Sequence, residues 1–293
     1  MTAPLTLRAR AAAPLKTVRH ALTDPAELRI WLAEHAEVEL PHRYEFWGRH
    51  TPEGDAPHQT PQHVDDHTIR FSWLLDGEQT STEITLVEES PESTLITLSQ
   101  SHWSFADAMS GTTIRGVLQT YWSLAIANLV DHVEGRPLTP KTDFTSATFR
   151  EEIVIGASAD ALYRSLTDSE QASTWFGYPI GIEPYVGGRW AMGGFDNNPN
   201  PAKVLEVTPG KGMTVDWGPV GVVTWELAES DGKTKLSFVQ SGFDTTNPPY
   251  GAWSGWLSGL AELRRFHELA DWRPIWLHDP DEVIAASEQQ VAG

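Results

Sequence analysis

The chain has 293 residues, 40% apolar and 21% charged, with a formal net charge of -19 and no cysteine. This is the composition of a folded globular protein, neither disordered nor fibrous, and the length suits two domains at about 150 residues each. Residues 1–144 carry 11 basic and 20 acidic side chains and residues 145–293 carry 10 and 20, so each half repels a nucleic-acid backbone or an anionic membrane.

The first residues, MTAPLTLRARAAAPLK, lack the apolar core of a secretory signal, and no apolar run reaches 18 residues. The expectation is a soluble, cytoplasmic protein. Without cysteine there are no disulfides or thiolate nucleophiles, and any metal would need His and carboxylate ligands. Residues 5–11, LTLRARA, alternate with period two and predict a half-buried strand. Pro14 suits the first turn of the helix that follows. The stretch ALTDPAELRIWL at 21–32 ends that helix at Leu-Thr-Asp and starts a second, short one carrying Trp31. Strands broken by turn residues follow, and from 112 to 133 Ile114, Val117, Leu118, Tyr121, Ala125, Leu129 and Val133 recur at helical spacing.

The same order then repeats. SLTDSEQASTWF at 165–176 matches ALTDPAELRIWL at an offset of 144, which also sets Leu22 on Leu166, Asp24 on Asp168, Trp31 on Trp175 and Trp73 on Trp217. With small gaps the register pairs Gln100-Ser101 with Gln240-Ser241 and Trp122 with Trp256. FREEIVI at 149–155 is the matching first strand, and Ser158 is the expected N-cap of the next helix. GGRWAMGG, AKVLEV, MTVDWG, VVTWEL and TKLSFVQSGF then read as an antiparallel meander, with a long helix predicted over 251–271. The boundaries read as 1–134 for the first copy, 135–147 (GRPLTPKTDFTSA) for a linker, 148–271 for the second copy and 272–293 for a tail. In that tail Trp272 and Trp276 are expected to tie down the chain, and 281–290 to form a short helix.

A strand, two short helices, a meander and a long terminal helix define an α+β domain, with a curved sheet gripping the helix and a cavity between them. LTDSEQASTWF, YVGGRWAMGG, KVLEVTPGKGMTVDW, VVTWEL and GAWSGWLSGLAELRRF together resemble the START-like (SRPBCC) helix-grip superfamily. Within it they resemble the branch related to the C-terminal domain of the activator of heat-shock-protein ATPase. The match covers 149–271. The first copy departs from it, with PHRYEFWGRH in place of the Gly-Gly strand and a His- and Pro-bearing loop in place of a short turn. The resemblance implies a hydrophobic small molecule, lipid- or polyketide-like, in the grip cavity, mainly of the second copy, and no cofactor. It also implies two alternatives: a cyclase, aromatase or hydrolase using the same cavity, and a chaperone-associated interaction protein. The N-terminal domain that such activators use has no counterpart here.

The residues proposed to line the ligand are Trp175, Tyr178, Trp190, Met192, Trp217, Trp225, Phe238, Gln240, Trp253 and Trp256 in the second copy, and Trp31, Tyr44, Trp73, Gln100 and His102 in the first. The Trp residues fit either a core or an aromatic pocket, where stacking adds about 0.5–1.5 kcal/mol per pair beyond burial. Gln100 and Gln240 sit on apolar strand faces and need hydrogen-bond partners, either from the protein or from a ligand. His50, His58, His63 and His67, with Asp65 and Asp66, lie in a loop without the i, i+4 spacing that preforms a zinc pair, so no metal is assigned. No catalytic residue is assigned either. Tyr44, Glu45, His102 and Arg115, with Tyr178 and Arg189, are the polar groups that could polarise a carbonyl if they converged.

Overall fold

A computed structural model describes residues 4–103 and 113–277. The expected helix at 281–290 lies outside the described residues. The chain folds as α+β, with two tandem helix-grip domains that each pair a curved antiparallel sheet with a long C-terminal helix.

The first copy runs β1 (Leu5–Ala11), α1 (Leu15–Thr23), α2 (Pro25–Trp31), β2 (His35–Glu39), β3 (Arg43–Trp47), β4 (Gln59–Val64), β5 (Thr68–Leu75), β6 (Glu78–Ser90), β7 (Ser93–Gln100) and α3 (Ile114–Val133). Its five-stranded sheet has the order β1-β7-β6-β5-β4, and β2 and β3 form a separate hairpin. The second copy runs β8 (Phe149–Ile155), α4 (Ala159–Thr167), α5 (Ser169–Phe176), β9 (Ile180–Ile182), β10 (Arg189–Met192), β11 (Ala202–Thr208), β12 (Gly212–Asp216), β13 (Val222–Ser230), β14 (Lys233–Ser241) and α6 (Tyr250–Glu268). Its sheet has seven strands in the order β8-β14-β13-β12-β11-β10-β9.

The chain also divides into two compact units. One runs to Ser146 and takes Pro249–Ala261 and Ile275–Leu277; the other takes Ala147–Pro248 and Glu262–Pro274. Helix α6 is thus divided at Ala261. In the first unit its opening turns meet α3 closely, because Gly251 and Gly255 carry no side chain. A Cβ at Gly255 would lie 3.3 Å from Thr120 Cγ2, and one at Gly251 would lie 3.6 Å from the Gly116 carbonyl. Thr142 and Ser254 share a hydroxyl hydrogen bond at 2.9 Å beside that crossing.

The repeated sequence motif is a repeated piece of hydrogen bonding. Asp24 caps α2 by accepting from the amides of Ala26 and Glu27, and Asp168 caps α5 by accepting from Gln171. The hydroxyls of Thr23 and Thr167 donate back to the carbonyls of Arg19 and Tyr163. The indole N–H of Trp31 donates to the Ala21 carbonyl and that of Trp175 to the Ser165 carbonyl, both at 2.9 Å and ten residues back. The same match continues far from the motif. Thr94 and Thr234 donate to the carbonyls of Ala13 and Ala157, and Glu134 and Glu268 accept from the amides of Ala12 and Gly156. Ser158 is the N-cap of α4, as the sequence predicts, whereas Pro14 sits one residue before α1 at its N-cap.

Candidate ligand-binding site

In an antiparallel sheet directly opposed residues share a face, so the strand register identifies the inner surface of the second copy. Ile182, Trp190 and Ala202 lie in one row across β9, β10 and β11. Val204, Val215, Val223, Gln240 and Phe149 form the next, and Met213, Trp225, Phe238 and Glu151 the row beyond it. Trp190 packs on Ala172, Ile180 and Ile182, so this is the face that α5 covers.

Burial along this surface is graded. Trp225 and Phe238 are 5% and 6% exposed, held by edge-on contacts with Tyr163 and Phe149. At the β10 end, Trp190 and Trp217 are only half buried, with ring centroids 4.8 Å apart and planes at 60°, and Met192 is 38% exposed. Tyr178 joins this end, its hydroxyl close to Gly193 just past Met192. Two indoles, a thioether and a phenol therefore gather at this end of the sheet. They form a surface suited to flat apolar groups.

Two polar side chains lie further along the same face, Gln240 buried and Glu151 half-buried. Gln240 is 3% exposed and its amide donates to the Val220 carbonyl at 2.7 Å. Glu151 stands opposite Phe238, in phase with buried Phe149 and Ile153. The alternation of FREEIVI contains this information, because Glu151 occupies an inward position of that strand. The alternation alone marks a strand and does not single out this position as part of a site.

The other proposed residues are elsewhere. Trp175 is buried on α5 against Phe176, with its indole hydrogen committed to the helix corner. Trp253 is buried against Tyr250, and it and half-buried Trp256 belong to the first unit.

In the first copy Trp31 and Trp73 are fully buried and Tyr44 is 1% exposed. Trp73 meets Phe46, Tyr121 and Trp122 at centroid distances of 5.3–5.9 Å, and Tyr44 packs on Phe71 at 5.3 Å. Burial raises the Tyr44 and Tyr121 phenols well above the ordinary tyrosine range, because an ionised phenolate loses its hydration there. Gln100 is fully engaged. Its carbonyl oxygen accepts from Thr82 and from the Trp122 indole, and its nitrogen donates to Thr80 and to the Ser101 carbonyl. A recess beside α3, lined by Trp31, His50, Tyr121, Lys141 and Phe144 among others, holds about 10 Å³, the space of about one water molecule.

Of the polar residues considered for chemistry, His102 and Arg115 do meet. The Arg115 Nε–H donates to His102 Nε2 at 2.8 Å, and the His102 Nδ1 lies 2.9 Å from Glu78. Tyr44 and Glu45 are not part of that cluster; Glu45 pairs with Arg43 at 2.7 Å. Arg189 pairs with Glu183 at 2.8 Å and lies 4.2 Å over the Phe195 ring. The stretch expected as a His-bearing loop contains β4, which carries His63, and its histidines disperse. His58 faces Asp55, His63 faces Asp65, and His50 and His67 bond to the carbonyls of Thr142 and Leu86. Among the described residues no group of three or more His, Asp or Glu side chains is placed to hold a metal ion.

The sequence model of the family described as Activator of Hsp90 ATPase homolog 1-like protein matches the chain twice, over residues 12–134 and 156–268. The chain belongs to that family. Comparison with curated proteins finds no match. Among solved structures, this family member is similar to protein MLL2253 from Mesorhizobium loti, with 27% identity, 43% of this chain and 99% of the other covered, and a TM-score of 0.36. It is similar to Aha1 from Colwellia psychrerythraea, a dimer in solution, with 20% identity, coverage of 43% and 98%, and a TM-score of 0.37. DynU16, a protein in the dynemicin biosynthetic locus, covers 92% of this chain and 100% of its own at 15% identity and a TM-score of 0.36. No helix among the described residues is long and apolar enough to cross a membrane.

Proposed function

We propose that the protein binds one hydrophobic, aromatic-bearing small molecule on the inner face of the second sheet, entered between Trp190, Met192, Trp217 and Tyr178. The observation that supports this most is the burial gradient. A core filled for stability alone would cover Trp190 and Met192 as completely as it covers Trp225, whereas they stay partly exposed on the same continuous face. Gln240 and Glu151 would supply the few polar contacts that orient a bound molecule, and the walls around them are apolar. A thermal-shift and tryptophan-fluorescence screen with lipids and polycyclic aromatic compounds tests the reading. It expects stabilisation by at least one class, lost in Trp190→Ala; a flat response across both classes rejects it.

A second reading, association with a chaperone, has one observation in its favour. Tyr185 and Val186 are 58% and 69% exposed, and the amide of the adjacent Gly187 is bonded to Val204, next to 36%-exposed Leu205. This apolar patch lies outside the inner face. Capture of a chaperone that is lost in Tyr185→Ser with Val186→Ser would move the function there.

A further inference from the structure

The outer edge of the first sheet is β1, whose other side pairs with β7 from Leu5 opposite Gln100 to Ala11 opposite Thr94. That outer edge carries a short antiparallel segment from the far end of the chain. The Arg10 N–H donates to the Ile275 carbonyl at 3.1 Å, the Leu277 N–H donates to the Arg8 carbonyl at 2.9 Å, and Ala9 stands opposite Trp276. Ile275 is 1% exposed and is part of the first unit's core, and Trp276 packs against the same core. The matched strand of the second copy, β8, is the end of its sheet and presents exposed Arg150, Glu152 and Val154. Charge on an edge strand opposes pairing with another chain. The β1 edge is filled even though it too carries charge, at Arg8 and Arg10.

Main-chain hydrogen bonds combined with a buried seat for an alternate side chain are the two requirements for recognising an extended peptide by strand addition. We propose that the edge of β1, with the Ile275 seat beside it, is a peptide-binding site for an extended Ile-Trp-Leu segment, and that residues 275–277 of the same chain are its resident occupant. This site is separate from the small-molecule surface and stands or falls independently of it.

The test uses the full chain. Ile275→Asp places a carboxylate in the apolar seat and should release the segment, leaving the edge open to a labelled hexapeptide of residues 272–277. The variant should bind one peptide per chain, the unaltered protein none, and a peptide carrying the same Ile275→Asp change should not bind. A folded variant that ignores the peptide, or an unaltered chain that binds it equally well, overturns the proposal. Amide exchange in the unaltered protein decides the matter if the variant does not fold. The Leu277 amide should exchange on the order of 100-fold or more slower than an open chain, as for other sheet amides; exchange at the open-chain rate overturns the proposal.

Discussion

The two copies share their corner hydrogen bonds but treat the inner face of the sheet in opposite ways. In the first, Phe46, Phe71 and Trp73 are fully buried and Trp122 is 1% exposed, with Gln100 tying that indole to the strands. In the second, the face runs from buried Phe238 to half-buried Trp190 and Trp217. Individual positions changed accordingly. Where the second copy opposes Phe238 with Glu151, the first opposes Leu98 with Leu7. Where β14 is followed by Gly242 at a φ of 75°, β7 is followed by His102 at a φ of 64°. A left-handed residue other than glycine costs roughly 1–2 kcal/mol, and here Glu78 and Arg115 hold the histidine in place. The two copies thus keep the same corner hydrogen bonds but bury the aromatic side chains of the inner face to different degrees.

The largest expected effect tests this filling directly. Trp73→Ala should destabilise by about 3–5 kcal/mol, as large-to-small changes in packed cores do, whereas the position-matched Trp217→Ala should cost only about 1–2 kcal/mol. Urea unfolding of both variants reads the difference, and equal losses would mean that the second grip is as tightly filled as the first. A smaller effect tests the shared corner. Trp31→Phe and Trp175→Phe each leave a buried carbonyl without its indole donor, so each should cost about 1–3 kcal/mol, with similar values for both. A loss in one and not the other would show that the corner supports only one copy.

The smallest effect belongs to a turn the copies do not share. His63 and the amides of His67 and Thr68 hold the Asp65 carboxyl down at about 2. The corresponding turn of the second copy, Thr208 to Gly212, has no carboxylate. A depressed carboxylate contributes stability that is full above its unfolded value near ~3.8 and is lost as pH falls. The melting-temperature difference between the protein and Asp65→Asn should therefore be steady above pH 4 and close as pH falls toward 2. A difference that persists unchanged at pH 2 contradicts this assignment.

Much of the frame is legible in the sequence because it is written in local terms. Leu-Thr-Asp followed by Trp encodes a helix end, a cap and an indole anchor within twelve residues, and period-two alternation marks β5, β13 and β14. The site is less legible. A Trp at an inward position reads alike whether its far side meets protein or solvent, so Trp73 and Trp217 are indistinguishable in sequence and differ only through neighbours distant in the chain. Phe46 and Tyr121 close around Trp73, while Trp217 meets Trp190 at the edge of an accessible face. The partners of Gln100 and the strand made by Ile275 to Leu277 are also long-range pairings that no periodicity announces.

Stoichiometry tests the central claim most directly. Native mass spectrometry of the full chain titrated with the uncharged aromatic probe N-phenyl-1-naphthylamine should show one probe per chain, lost in Trp190→Ala with Trp217→Ala and retained in Trp73→Phe. Two probes per chain, or one that survives removal of both second-copy indoles, would contradict a single accessible grip.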